Sequence, residues 1–177
     1  MEKIKKFLFA GPIGTYKPED IFRAVQDLFT RQVIVPGLLV SSAAVTFATT
    51  NAIQYLINGV LYTKAALSAI AVPTATAWSA VASTFNAAGF LVTLDAAGNV
   101  ATIPTNVVSS LVSANNALAG IVWPTVPDNV VVVGGFVVYT TAANTAFTPG
   151  TTNLIGAANI GTITINTTGP FYPVTPV

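Results

Sequence analysis

The dipeptide Asn58-Gly59 constrains this chain more than any other short stretch. It lies between two β-prone runs, Ile53-Gln-Tyr-Leu-Ile57 and Val60-Leu-Tyr-Thr-Lys64. A type I′ turn needs positive φ at both central residues, and Asn and Gly tolerate that best. A two-residue loop then sets the register: Ile57 faces Val60, Leu56 faces Leu61, Tyr55 faces Tyr62, and Gln54 faces Thr63. The tyrosines become a cross-strand aromatic pair, which stabilises antiparallel pairing. Apolar side chains fall on both faces of the hairpin, so neither face is fully wet.

The rest of the chain reads in the same way. Residues 33–40 form a strand interrupted at Pro36-Gly37, an edge or a turn. Residues 45–50 supply another strand. Residues 65–72 are ambiguous: Ala favours helix, while Ile70, Val72 and the following Pro73 favour an extended end. Residues 74–86, with Trp78, Val81 and Phe85, read as a strand with a loop. Residues 90–94 and 99–103 flank Asp95-Ala-Ala-Gly98, where Asp95 opens a type I turn and Gly98 supplies the left-handed residue. Residues 107–119 fit a short helix or a loop, and Pro127-Asp128-Asn129 is a turn. Residues 130–140 are a near-continuous apolar run split by Gly134-Gly135. Such a run is buried on both faces, with a bulge or a close backbone approach at the glycines. Residues 147–153 are a turn-rich loop. Residues 160–166 alternate cleanly as a final strand, and Pro170, Pro173 and Pro176 end regular structure. Many short strands with regular turns predict an all-β fold, an antiparallel β-sandwich or barrel.

One helix is expected, and it is N-terminal. Residues 1–16 read as an extended arm, because Gly11, Pro12 and Gly14 disfavour regular structure. Over residues 17–31, Pro18 suits the first turn, and Glu19 and Asp20 complement the positive end of the dipole. Ile21, Phe22, Val25, Leu28 and Phe29 then form one apolar stripe. The stripe either packs on its own β domain or docks on a neighbouring subunit as a partner-binding face. The division is thus 1–32, arm and helix, and 33–177, β domain.

Charge sharpens the picture. Charged residues are 7% of the 177, against about 25% in ordinary globular chains. Ten of the thirteen lie in the first 31 residues, and only Lys64, Asp95 and Asp128 follow. Three charges are too few to solvate a free β domain of this size, so much of its surface is expected to be covered by other copies or another protein. Disorder is excluded by the 53% apolar content and the net charge of +1.

The same composition removes most chemistry. There is no Cys and no His, so disulfides, thiol nucleophiles, His-based triads and most transition-metal sites are out. Asp95 and Asp128 sit in separate turns. Lys64 with Ser68 is the one conceivable Ser/Lys couple, and no oxyanion or pocket signal accompanies it. The expectation is no enzyme, no cofactor and no metal site. Lys3, Lys5 and Lys6 beside Glu2 are a weak phosphate signal, and the aromatics lack basic neighbours, so no nucleic-acid partner is expected. The apolar run at 7–10 is too short for a signal peptide and is broken by Gly11-Pro12. No stretch offers eighteen uninterrupted apolar residues, so no membrane partner is expected and synthesis in a cytoplasm follows.

Three stretches carry a resemblance: Ile57-Asn-Gly-Val-Leu-Tyr-Thr-Lys-Ala65, Leu91-Val-Thr-Leu-Asp-Ala-Ala-Gly-Asn-Val100 and Phe147-Thr-Pro-Gly-Thr-Thr-Asn-Leu154. In that order, with the Gly/Val strand at 130–138, they resemble a small β domain of structural proteins of tailed bacteriophages. The ordered set spans about residues 50–166. The resemblance implies a virion component, a decoration or cement protein of the capsid, made in the host cytoplasm. It implies the major capsid protein or other virion proteins as partners and a homo-oligomer, a trimer. It carries no catalytic residues. Residues 1–32 depart from the pattern, which leaves head or tail location open. The rival reading is a tail or surface fibre module for host adhesion or carbohydrate binding.

Overall fold

The computed structural model describes residues 30–42 and 45–167. Its elements are β1 (Arg31–Val35), β2 (Leu39–Ser42), β3 (Thr46–Thr49), β4 (Ile53–Ile57), β5 (Val60–Lys64), β6 (Ile70–Ala71), β7 (Phe85–Asp95), β8 (Val100–Pro104), β9 (Val108–Ser110), helix α1 (Ala114–Ala119), β10 (Val130–Thr140) and β11 (Ile160–Asn166). Strand pairing is antiparallel throughout. The fold is all-β, as expected.

The Asn58-Gly59 hairpin has the expected register, from Ile57 opposite Val60 to Ile53 opposite Lys64. Asn58 and Gly59 have φ of 51° and 77°, as a type I′ turn requires. Tyr55 and Tyr62 stack with ring centroids 5.5 Å apart. β1 joins the other side of β4 and completes a three-stranded sheet, β1-β4-β5. Pro36-Gly37 breaks the run at 33–40 into β1 and β2, as read from sequence. β2, β3 and β6 form a second three-stranded sheet.

The central sheet runs β11-β10-β7-β8, with β9 also on β7. β7 and β10 are eleven residues each and almost wholly buried. The expected bulge lies between Val132 and Gly134, where the register with β7 shifts. One face of this sheet, with Phe90, Val92, Leu94, Val131, Phe136 and Val138, packs against both small sheets in a single core. Phe47 of β3 is the hinge of that packing, stacked on Phe136 at 3.6 Å and edge-on to Phe90 at 5.7 Å. Tyr55, Ile53 and Val33 bring the hairpin sheet into the same core. The arrangement is a sandwich, five strands against two smaller sheets.

The opposite face of the central sheet is covered by α1 and the chain around Trp123. A Cβ on Gly89 would lie 3.1 Å from the Trp123 ring, and one on Gly135 3.3 Å from it. The two glycines therefore make the space in which the indole sits. Ser113 caps α1, accepting a hydrogen bond from the Asn116 backbone N–H at 3.2 Å.

Several expectations need correction. The helix expected over 17–31, with its stripe Ile21, Phe22, Val25, Leu28 and Phe29, lies outside the described residues apart from its last two, and Arg31 opens a strand. The complete α-helix among the described residues is Ala114–Ala119. β1 also begins two residues before the expected division at 32/33. Arg31 pairs across to Ile57, and its guanidinium donates to the Pro127 carbonyl oxygen at 2.8 Å and meets Asp128 at 3.2 Å. Strand pairing with β4 outweighs the helical continuation there. Residues 65–72 contain only the short β6, and residues 74–84 hold a 3-10 turn (Thr74–Thr76) and one bridge from Trp78 to Phe147 instead of a strand. Residues 107–119 divide into β9 and α1.

Candidate functional site

The four charged residues among the described ones are Arg31, Lys64, Asp95 and Asp128, and none builds a reactive centre. Arg31 and Asp128 pair at the surface, and Asp128 is fully exposed, so the pair contributes little. Asp95 holds the β7–β8 hairpin: it accepts from the Asn99 backbone N–H and the Asn99 side-chain amide, both at 2.8 Å. These bonds hold its carboxyl below the ordinary carboxylate range. Asp95 is therefore the turn residue the sequence suggested. No hydrogen bond joins Lys64 to Ser68. The Lys64 ammonium lies beside Gly98, and Ser68 lines a separate shallow cavity of about 270 Å³ with Val100 and Thr102. Among the described residues no group of His, Cys, Asp or Glu could hold a metal, and no helix is long and apolar enough to cross a membrane.

Two other features remain. The first is the outward face of the hairpin sheet. Because side chains alternate along a strand, Gln32, Leu56 and Leu61 form one cross-strand row on this face, and Val35, Gln54 and Thr63 form the next. Leu61 is 57% exposed and Val35 39%. No charged side chain lies in either row. β5 pairs only with β4, so it is an edge of its sheet among the described residues. In a two-residue hairpin, Ile57 and Val60 exchange the closing hydrogen bonds, which leaves the backbone groups of Leu61 and Thr63 pointing outward along that edge. An uncharged face, half of it apolar, beside an edge unpaired among the described residues is what natural sheets normally blunt with charge or proline.

The second feature is a cavity of about 380 Å³ at the end of β7, where the 74–84 segment meets β9. Trp78, Val81 and Leu111 provide apolar wall, and Ser79, Ser109 and Asn86 provide polar groups. Trp78 is held by Phe147 on one side, with ring centroids 4.9 Å apart, and its indole N–H donates to the Thr145 carbonyl oxygen at 3.0 Å. Asn86 is 3% exposed. Its Oδ1 accepts from the Ser109 hydroxyl at 2.6 Å, while its Nδ2 is shut from solvent and has no partner. A buried amide left unpaired costs about 1–3 kcal/mol, so native structures seldom keep one without a use. Sequence reading missed this cavity. Trp78 was legible as an aromatic, but its meeting with Asn86 and Ser109 depends on β7–β9 pairing, for which no local signal exists.

No protein-family model matches the chain, and neither a curated protein nor a solved structure is similar to it.

Proposed function

We propose that this chain is a structural protein of a bacteriophage virion, a decoration or cement protein that stabilises the head shell through protein–protein contacts. The observation that carries the reading is the outward face of the hairpin sheet, with Val35, Leu56 and Leu61 beside an edge unpaired among the described residues and no charge in either row. Such a face loses little on being covered and gains from burial, at about 25 cal/mol per Å² of apolar surface. The ordered likeness at 57–65, 91–100 and 147–154 to phage structural domains supplies the setting. The partners on this reading are the major capsid protein or other virion proteins, together with further copies of the chain as a trimer. Imaging of the native particle tests it. The expected result is density for this sandwich repeated over the head shell. Its confinement to the tail, or absence from the particle, would refute the assignment. The second reading, a fibre or surface module that holds carbohydrate, is favoured by the cavity beside Trp78.

A further inference from the structure

We propose that the cavity beside Trp78 is a binding site for a neutral, polyhydroxylated ligand about the size of one pyranose ring. The inference does not rest on the virion reading, since it holds for a head protein and a fibre protein alike. Size is the first argument: about 380 Å³ lies at the lower end of the roughly 300–1,000 Å³ of small-molecule sites. The second is chemistry. No charged residue lines the cavity, and an indole shares it with three serines, a threonine and a carboxamide. Aromatic faces are electron-rich, and a pyranose presents weakly positive C–H bonds on its faces and hydroxyls around its rim. Trp78 suits the faces, and Ser79, Ser109 and Asn86 suit the rim. An acidic sugar would bring a carboxylate with no cation to meet it.

The third argument is the half-satisfied carboxamide of Asn86. The Ser109 hydroxyl occupies Oδ1, and Nδ2 has nothing. A ligand hydroxyl that takes over the Ser109 bond releases the carboxamide to turn, and its N–H groups then gain the acceptor they lack. With the carboxamide assigned the other way round, Nδ2 donates to Ser109 and the unpaired atom is Oδ1, which a ligand hydroxyl reaches once the carboxamide has turned. Either orientation leaves one buried amide position without a partner until the carboxamide turns. Trp78 cannot itself rotate to fill the space, because Phe147 and the Thr145 carbonyl hold it. The site is preorganised at its aromatic wall and adjustable at its polar one.

The test is an NMR titration of the full chain with the methyl glycosides of glucose, galactose, mannose and N-acetylglucosamine. Glucuronic acid serves as the charged control. The readouts are the Trp78 indole N–H and the Asn86 side-chain amide signals. At least one neutral glycoside should shift both signals saturably, with a Kd on the order of 1 mM. Glucuronic acid should bind at least about fivefold more weakly, and Ser109→Ala should weaken the neutral ligand by a similar factor in a chain that still melts cooperatively, at a lower temperature because the Asn86 carboxamide loses its partner. Ser109 is exposed, so this variant opens no cavity in the core and removes only the hydrogen bond to Asn86. The proposal fails if none of the four glycosides shifts these signals by about 50 mM, on the same affinity scale. It fails equally if glucuronic acid binds as well, or if Ser109→Ala binds as the unaltered chain does.

Discussion

Tyr55 serves the fold through both its ring and its hydroxyl. Its ring stacks on Tyr62, and its hydroxyl donates to the Asp95 carbonyl oxygen at 2.9 Å, tying the first hairpin to the second. Tyr55→Phe keeps the ring and removes that bond, and should cost about 0.5–1.5 kcal/mol in urea unfolding. Burial pushes the Tyr55 phenol up, and the charge of Asp95 and the neighbouring Tyr62 push the same way. The unfolded chain releases this proton near pH ~10, while the folded chain keeps it. Stability should therefore fall as pH rises above about 10, and Tyr55→Phe should flatten that fall. Asp95 acts in the opposite direction. Its carboxyl is held low by Asn99, so its contribution is present above the unfolded value of about 3.9 and is lost as pH falls through the lower folded value. Asp95→Asn should flatten the acid side of the melting-temperature profile. The ring pair was legible in the sequence, because a two-residue turn sets its register. The phenol bond was not, because it joins residues forty positions apart.

At the scale of elements, legibility follows how local the cause is. The type I′ turn needs only Asn58 and Gly59, and the β7–β8 turn needs only Asp95 to Gly98, so both were read correctly. Gly59 makes this testable. A Cβ there would meet no atom within 4 Å, yet φ is 77°. Gly59→Ala should cost about 1–2 kcal/mol through the backbone alone, measured as a drop in the denaturant midpoint. A neutral result would show that the turn can change type. The bulge between Val132 and Gly134 was likewise foreseen, and the space there is tight: a Cβ on Gly134 would run into Leu39 and sit 2.7 Å from the Ile165 carbonyl oxygen. The elements left open or misread are those whose cause is mostly tertiary. α1 has six residues, too few to form alone, and it owes its existence to docking over β7, β9 and β10. Residues 74–84 carry β-prone side chains but form no ladder strand, because Trp78 turns to Phe147 and packs there.

At the scale of the whole molecule, the scarcity of charge becomes a statement about association. Leu61 and Leu56 lie side by side on an outward face, next to β5, an edge strand among the described residues. Sedimentation at micromolar concentration should show an oligomer, and Leu61→Lys should shift it toward a folded, cooperatively melting monomer, since Leu61 is already exposed in the single chain. A monomeric unaltered chain would end the argument. A chain that begins at Thr30 preserves β1 entire. If residues 1–29 carry the attachment to a particle, that chain should melt cooperatively and fail to bind assembled particles. Full binding would place the attachment elsewhere.

The sequence by itself determined the strand grammar of this protein. Period-two alternation, Asn-Gly and Asp-Ala-Ala-Gly turns, a doubly buried eleven-residue run and three late charges act within a few residues of one another, so they can be read without a partner in view. Only the tertiary structure decided how the hairpins and the remaining strands join into sheets and that the complete α-helix among the described residues is Ala114–Ala119. It alone shows that Phe47 joins two sheets, that Trp123 rests on Gly89 and Gly135, and that Trp78, Asn86 and Ser109 surround one cavity. Those meetings are set by long-range packing, whose free energy depends on the shapes of surfaces assembled from distant segments, and no short window of sequence contains that information.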